Sequence, residues 1–398
     1  VIRTVYCGRW GLDDRAAGPY RELPVDVPRG AATVTVRLRY DRGAGVLDLG
    51  CFDPGGFRGW SGGSRDTVTV AEGWATPGYL PGGLAAGTWR VCLGLHRIPV
   101  EGLDFEVVVD TRPVPAPPPA PVPTAAERPP GRALPAEPGH RWLAGDLHAH
   151  TVHSDGTLTV DQLAHRAAAA GLDFLAVTDH NTVSHHAELA GAGRRQGVLL
   201  LPGQEVTNDL GHANVFGAVG WVDFRRPAAD WVAAAGAGGG LLSVNHPLAA
   251  DCAWRHPVRP RFAEIWHETW RDRRWGGPLA WWLAAAPDAV PLGGSDFHDP
   301  RQGHTLGRPT TWAHCAGTDV PAVLAAIAAG RVAISAGPNA PVLLRLGEEL
   351  HALDADGTFL VDGVGARRVV RGDRATVAAG PGPHRLEAPD GEVLALAA

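Results

Sequence analysis

At 398 residues the chain is too long for one ordinary core and long enough for two or three domains. Hydrophobic residues make up 45% and charged residues 20%, the balance of folded domains, and no apolar run nears the roughly 18 residues a membrane span needs. A net charge of −6 argues against the electrostatic footprint of a specific nucleic-acid partner, although all 36 basic residues are Arg.

The opening residues, VIRTVYCGRWGLDD, lack the long apolar stretch of a secretory signal, so the cytoplasm is the expected location. Cys7, Cys51, Cys92, Cys252 and Cys315 are odd in number and scattered, with no Cys-x-x-Cys pair, and read as free thiols in a reducing compartment. Over residues 1–112 apolar residues alternate, as in Val34, Val36, Leu38 and Tyr40, while Gly and Pro punctuate the turns. That period of two predicts an antiparallel β-sandwich. Residues 113–139 are rich in Pro and Ala without periodicity and read as a semi-rigid, extended linker.

From residue 140 to 337 the texture changes to strands followed by helices. Thr159 with Gln162 three residues on forms a capping box, and Gly171 stands at the C-cap position, so a helix is predicted between them. Apolar runs recur at DFLAVTD, GVLLLPG, HANVFGAVG, GLLSVNH, FAEIWH and VPLGGSD, several of them separated by Ala-rich helical stretches. With the strand before His148 this makes roughly seven β units, close to the eight of a full β/α barrel. Residues 338–398 return to short β segments and turns, a small C-terminal β extension.

Polar ligand residues fall at the ends of these strands. His148 and His150 are two residues apart, so both side chains leave on one face. Asp179 and His180 follow LAVT, Glu205 follows LLLPGQ, His246 follows LLSVN, Asp296 and His298 follow PLGGS, and His212 opens HANVFG. A lone histidine is ordinarily a satisfied polar residue. Independent structural histidines have no reason to fall at successive strand ends with carboxylates interleaved, so here the metal reading prevails. A Ser/His/Asp triad is disfavoured because no Gly-x-Ser-x-Gly elbow is present.

In that order, DLHAHTVHSDG, VTDHNT, GQEVT, GHANVFG, VNHP and GGSDFH resemble the motif series of the polymerase and histidinol phosphatase (PHP) superfamily. The β-rich segment ahead of them is similar to that of its CehA/McbA branch, named for hydrolases of aryl methylcarbamates. The resemblance implies a distorted seven-stranded β/α barrel with two or three divalent metal ions at its mouth. Carried over by motif, His148, His150, Glu205 and Asp296 would hold one ion, and Glu205 would bridge to a second held by His212 and His246. Asp155, His180 and His298 would hold the third, and Asp179 would fix the second nitrogen of a metal-bound imidazole.

Imidazole and carboxylate without thiolate suit Zn, Mn or Fe. Such ions make hydroxide available at neutral pH for attack on phosphorus or a carbonyl carbon. His298, Asp296 and His267 are the candidates for protonating the leaving group. Arg255, Arg259 and Arg261, in a long loop after the His246 strand, are candidates for holding a phosphate. The expected reaction is phosphoester hydrolysis of a small molecule, with carbamate or carboxylic ester hydrolysis as the alternative and a non-catalytic scaffold as a third reading.

Overall fold

The computed structural model describes residues 1–397. The chain packs as two compact units. The first is Val1–Pro121 together with the short segments Val152–Gly156 and Asp179–His185; the second is Val122–Thr151, Thr157–Thr178 and His186 onward.

The first unit is built from β1 (Arg3–Trp10), α1 (Leu12–Ala17), β2 (Tyr20–Val27), β3 (Thr33–Tyr40), β4 (Val46–Asp53), β5 (Gly56–Trp60), β6 (Thr67–Ala71), β7 (Gly87–Arg97) and β8 (Leu103–Asp110). The strands form two four-stranded antiparallel sheets, in the orders β1-β8-β3-β6 and β2-β7-β4-β5. Alternation along β3 turns Val34, Val36 and Leu38 into one core with Leu47 and Leu49 of β4 and Val91 and Leu93 of β7. Thr35, on the other face, is also buried, and its hydroxyl lies 3.0 Å from that of Thr69. The two short segments of this unit are tied to its loops through Gly78 and Arg65. The Gly78 N–H donates to Ser184 Oγ at 3.0 Å, Thr182 Oγ1 donates to the Gly78 carbonyl at 2.8 Å, and Arg65 donates to the Val152 carbonyl. Gly78 has φ +99°, and a Cβ there would stand 2.8 Å from the His153 carbonyl oxygen.

The second unit runs β9 (Arg141–Asp146), α2 (Val160–Ala169), β10 (Phe174–Val177), α3 (His186–Gln196), β11 (Leu199–Asn208), β12 (Gly211–Phe216), α4 (Ala228–Ala237), β13 (Leu241–Val244), β14 (Phe262–Trp266), α5 (Gly277–Ala285), β15 (Val290–Gly293), β16 (Thr310–Cys315), α6 (Val320–Ala328) and β17 (Val332–Ser335). Then come β18 (Val342–Leu346), β19 (Glu349–Leu353), β20 (Phe359–Val361), β21 (Arg367–Val369), β22 (Arg374–Ala378), β23 (His384–Glu387) and β24 (Val393–Ala397). The fold is mixed α/β, dominated by one thirteen-stranded sheet in the order β15-β14-β13-β12-β11-β10-β9-β16-β17-β24-β23-β20-β21. Strands β9 to β15 therefore lie beside one another in chain order, and a parallel bridge joins Ala149, after β9, to Phe297, after β15.

Thr159 caps α2 as its spacing from Gln162 predicts, with both bonds of the capping box present, and Gly171 follows with φ +84°. The apolar face of α2, with Leu163, Ala164 and Ala167, packs on Leu175 and Val177 of β10. Two features go beyond the sequence reading. β11 and β12 follow one another directly as an antiparallel hairpin, with Asn208 opposite Gly211. The chain beyond Pro338 adds β20, β21, β23 and β24 to the main sheet, where β24 pairs with β17, and leaves a separate sheet of β18, β19 and β22. The Pro-rich stretch has neither helix nor strand, yet from Val122 it lies on the second unit. Arg128 bonds the Gly197 carbonyl and Asp173, both at 2.9 Å, and Arg132 bonds the carbonyls of Pro338 and Ala340. No helix among the described residues is long and apolar enough to cross a membrane.

Gly145 of β9 faces Phe174 of β10, and a Cβ at Gly145 would meet the Phe174 ring at 2.1 Å. Gly145→Ala is therefore expected to destabilise the second unit by about 1–3 kcal/mol, read as a lowered thermal midpoint. Adding Phe174→Leu should recover part of that loss.

Candidate metal centre

The strand ends bring four of the sequence candidates to one point. His148 Nε2 lies 3.3 Å from Glu205 Oε2 and 3.2 Å from Asp296 Oδ1, and His150 Nε2 lies 3.4 and 3.1 Å from the same two oxygens. The other oxygen of Glu205, Oε1, lies 3.1 Å from His212 Nδ1 and 3.2 Å from His246 Nε2. Glu205 thus shows one oxygen to each of two histidine pairs. It does so from within β11, because the hairpin carries His212 back opposite Thr207, one pleat away. His148, His150, Glu205 and His246 are buried, and the rings of His148 and His246 stack at 5.6 Å.

The electrostatics of the group call for positive charge. Burial alone would pull the His148 pKa down, but Asp296, Glu205 and Glu264 outweigh it and raise it well above the usual imidazole value. Burial would likewise raise Asp296, yet His148 and His150 hold it well below the usual carboxylate range. His148 Nε2 is buried without a hydrogen bond among the described residues, pointing at two carboxylate oxygens. Imidazole nitrogens and carboxylate oxygens converging in this way fit a divalent transition ion. His246 and Asp296 also have positive φ, +25° and +51°, a cost that non-glycine residues bear where a site fixes their direction.

Four residues that support this group escaped the sequence reading. Glu264 of β14 lies 3.0 Å from His148 Nδ1 through one oxygen and accepts the His246 backbone N–H at 3.0 Å through the other. It thus faces the second nitrogen of a candidate ligand imidazole, the kind of contact also expected of Asp179. The signal was a lone carboxylate inside the apolar run FAEIW. Asn245 donates to Glu205 Oε1 at 2.8 Å. Asp146, wholly buried, accepts backbone N–H groups of His148 at 3.1 Å, Ser295 at 2.9 Å and Gly307 at 2.8 Å, and so ties both ends of the loop after β15 to the end of β9. Cys252 Sγ lies 3.3 Å from His246 Nδ1, so a thiol stands beside a donor set that the sequence read as free of sulfur. Close approach also explains Gly294, where a Cβ would stand 2.3 Å from Glu264 Oε1 and 2.5 Å from His148 Cβ.

The remaining candidates are placed as follows. Asp155, Asp179 and His180 belong to the first unit, where Asp155 Oδ1 and His180 Nε2 are 3.9 Å apart. Asp179 there accepts from Ser154 Oγ at 2.7 Å and lies 3.1 Å from His185 Nδ1. His298 stacks on His150 at 4.0 Å, and its Nδ1 lies 2.8 Å from the Asp296 carbonyl oxygen. His267 is buried with its ring 5.8 Å from that of His246, and Nδ1 accepts the Thr269 N–H at 3.2 Å. Arg255, Arg259 and Arg261 are exposed. Arg255 bonds the Asp209 carbonyl, and Arg261, at the N-terminal end of β14, bonds the Ala328 carbonyl at 3.1 Å. The metal group lies at the other end of that strand, so the structure does not bring Arg261 to it.

A buried set of imidazoles and carboxylates at successive strand ends marks the second unit as a metal-binding α/β domain. Residues 146–234 match the family model of the PHP domain. The match covers His148, His150, Glu205 and His212 and ends before His246, Glu264 and Asp296. Over 83 residues the chain is 40% identical to a 3',5'-nucleoside bisphosphate phosphatase from Chromobacterium violaceum, covering 21% of this chain and 29% of that protein. Over 64 residues it is 42% identical to a 5'-3' exoribonuclease from Escherichia coli strain K12, covering 16% and 22%. The chain spans less than a third of the length of the curated relatives it matches. A solved two-domain protein from Bacteroides vulgatus, containing a predicted PHP-like metal-dependent phosphoesterase, aligns with a TM-score of 0.45 at 17% identity, over 69% of this chain and 99% of that one.

Two outcomes follow from this geometry. Glu264→Gln keeps the volume but weakens the hold on His148, and is expected to lower Mn²⁺ or Zn²⁺ affinity by about 10–100-fold, read by metal titration of the apo protein. Burial first, and positive His246 next, push the His267 pKa from 6.5 down to about 3. The unfolded chain then binds the extra proton more readily, so the stability due to neutral His267 is complete above pH 6.5 and is lost as pH falls towards about 3. The metal-free His267→Asn variant should lose less stability across that window than the parent, by roughly 3–5 kcal/mol at the acid end of denaturant titrations.

Proposed function

We propose that the second unit is a metal-dependent phosphoester hydrolase of the PHP type, with β9 to β15 as its seven-stranded barrel. The observation that carries this reading is Glu205, whose two oxygens face separate histidine pairs. It supports a site in which Glu205 would help to hold two ions, one together with His148, His150 and Asp296 and the other with His212 and His246. The partial likeness to a nucleoside bisphosphate phosphatase and to exoribonucleases favours phosphorus over carbon as the centre attacked.

When bound, such ions supply hydroxide at neutral pH and neutralise charge that grows on the phosphoryl oxygens. The protein groups do the rest. Asp296, kept ionised by His148 and His150, holds charge of the opposite sign ready for the ions. His298 donates Nδ1–H to the Asp296 carbonyl, which orients its ring, and in its protonated form it would deliver the Nε2 proton to the departing oxygen. Burial holds His267 neutral at pH 7, which suits it to offer Nε2–H as a hydrogen-bond donor.

The test is a panel of aryl phosphates and nucleotides beside 1-naphthyl methylcarbamate, before and after chelation and after return of Zn²⁺, Mn²⁺ or Fe²⁺. Phosphoester turnover should fall at least about a hundredfold on chelation and return with metal. Turnover by metal-free protein, or turnover of the carbamate alone, would overturn the proposal. Glu205→Gln should reduce binding of both ions, whereas His212→Ala should affect one.

A further inference from the structure

Beside His267 the second unit has a cavity of about 670 Å³ that the reaction chemistry leaves unused. Its size is that of a site for a small organic molecule. Buried Trp266 and Trp270, packed edge to face at 5.4 Å, line it together with Arg271, Arg273, His304 and Arg308. Most of that positive charge is already matched. Arg273 pairs with Glu392, and Glu268 takes Arg271 at 3.2 Å and His304 at 3.3 Å. Arg308 has no acidic partner among the described residues.

Arg308 is nevertheless a placed side chain. Its neighbour Gly307 donates its N–H to buried Asp146 at 2.8 Å, so the backbone before Arg308 is tied to the carboxylate that also holds His148 and Ser295. Its stem lies along Gly337, where a Cβ would come within 3.4 Å of Arg308 Cγ and Nε. The loop that carries Asp296 and His298 at one end therefore carries an unmatched guanidinium at the other, with an aromatic floor between the cavity walls.

From this we infer that the cavity receives the leaving-group half of the substrate, and that this half is an organic, preferably aromatic, alcohol bearing its own anionic group, held by the Arg308 fork. The inference rests on the phosphoester reading above for the scissile end only. The anion recognised is an oxyanion, a carboxylate or a second phosphate.

The experiment compares phenyl phosphate with 4-carboxyphenyl phosphate and 1,4-phenylene bisphosphate in the metal-loaded parent, Arg308→Gln and Arg308→Lys. The parent should favour an anionic ester over phenyl phosphate by about tenfold or more in kcat/KM. Arg308→Gln should bring that ratio close to one and Arg308→Lys should keep part of it. The preferred ester tells carboxylate from phosphate. Equal loss on all three esters would place Arg308 on the scissile phosphoryl group and overturn the inference, as would a parent ratio near one. Calorimetric titration with 4-hydroxybenzoate and phenol keeps the outcome separate from the phosphoester reading. Binding of the carboxylate but not of phenol, lost in Arg308→Gln, supports the cavity assignment even where no ester is hydrolysed, and equal binding of both contradicts it.

Discussion

Three carboxylates, Glu205, Glu264 and Asp296, are held within hydrogen-bonding distance of the same few imidazoles in a largely buried space. Buried charge without compensation costs several kcal/mol per group, and mutual repulsion adds to it. The protein meets this with histidines that take up positive charge and with a geometry that invites a cation. The backbone around the group answers to that demand. Asp146 gathers three N–H groups from β9 and the loop after β15, and Gly294 leaves room for Glu264 against His148. His246 and Asp296 accept unfavourable φ values to point inward.

The same arrangement assigns different work to chemically similar residues. His148 and His267 are both buried histidines, yet three carboxylates drive the first towards the charged form while desolvation and His246 keep the second neutral. Glu205 faces two pairs of imidazoles, whereas Glu264 faces a ring nitrogen and a backbone N–H and serves to orient. Distance from the metal group follows from these partners: a carboxylate that binds Nδ1 of a ligand histidine lies one ring farther out.

Much of this was legible in the sequence because it follows from periodicity and local chemistry. The alternation at Val34 to Tyr40, the capping box at Thr159 and the histidines at strand ends each reflect a residue's relation to its near neighbours in the chain. What was hidden depends on long-range pairing. Asp146 and Gly307 are 161 positions apart, and nothing local marks them as partners. The β11–β12 hairpin placed Glu205 inside a strand because Asp209 and Leu210 turn the chain back at once. Only the fold shows that Glu264, 116 positions away in the chain, meets His148 and that Asp179 meets His185. The linker composition predicted an extended chain but said nothing of Arg128 and Arg132, which bond to the second unit.

Crystals grown with Mn²⁺ or Zn²⁺ and measured on either side of the metal's absorption edge test the central claim most directly. Anomalous density is expected between His148, His150, Glu205 and Asp296, with a further peak on the Glu205 side facing His212 and His246. Density absent from both positions at saturating metal, with the four side chains still bonded to one another, would contradict the account.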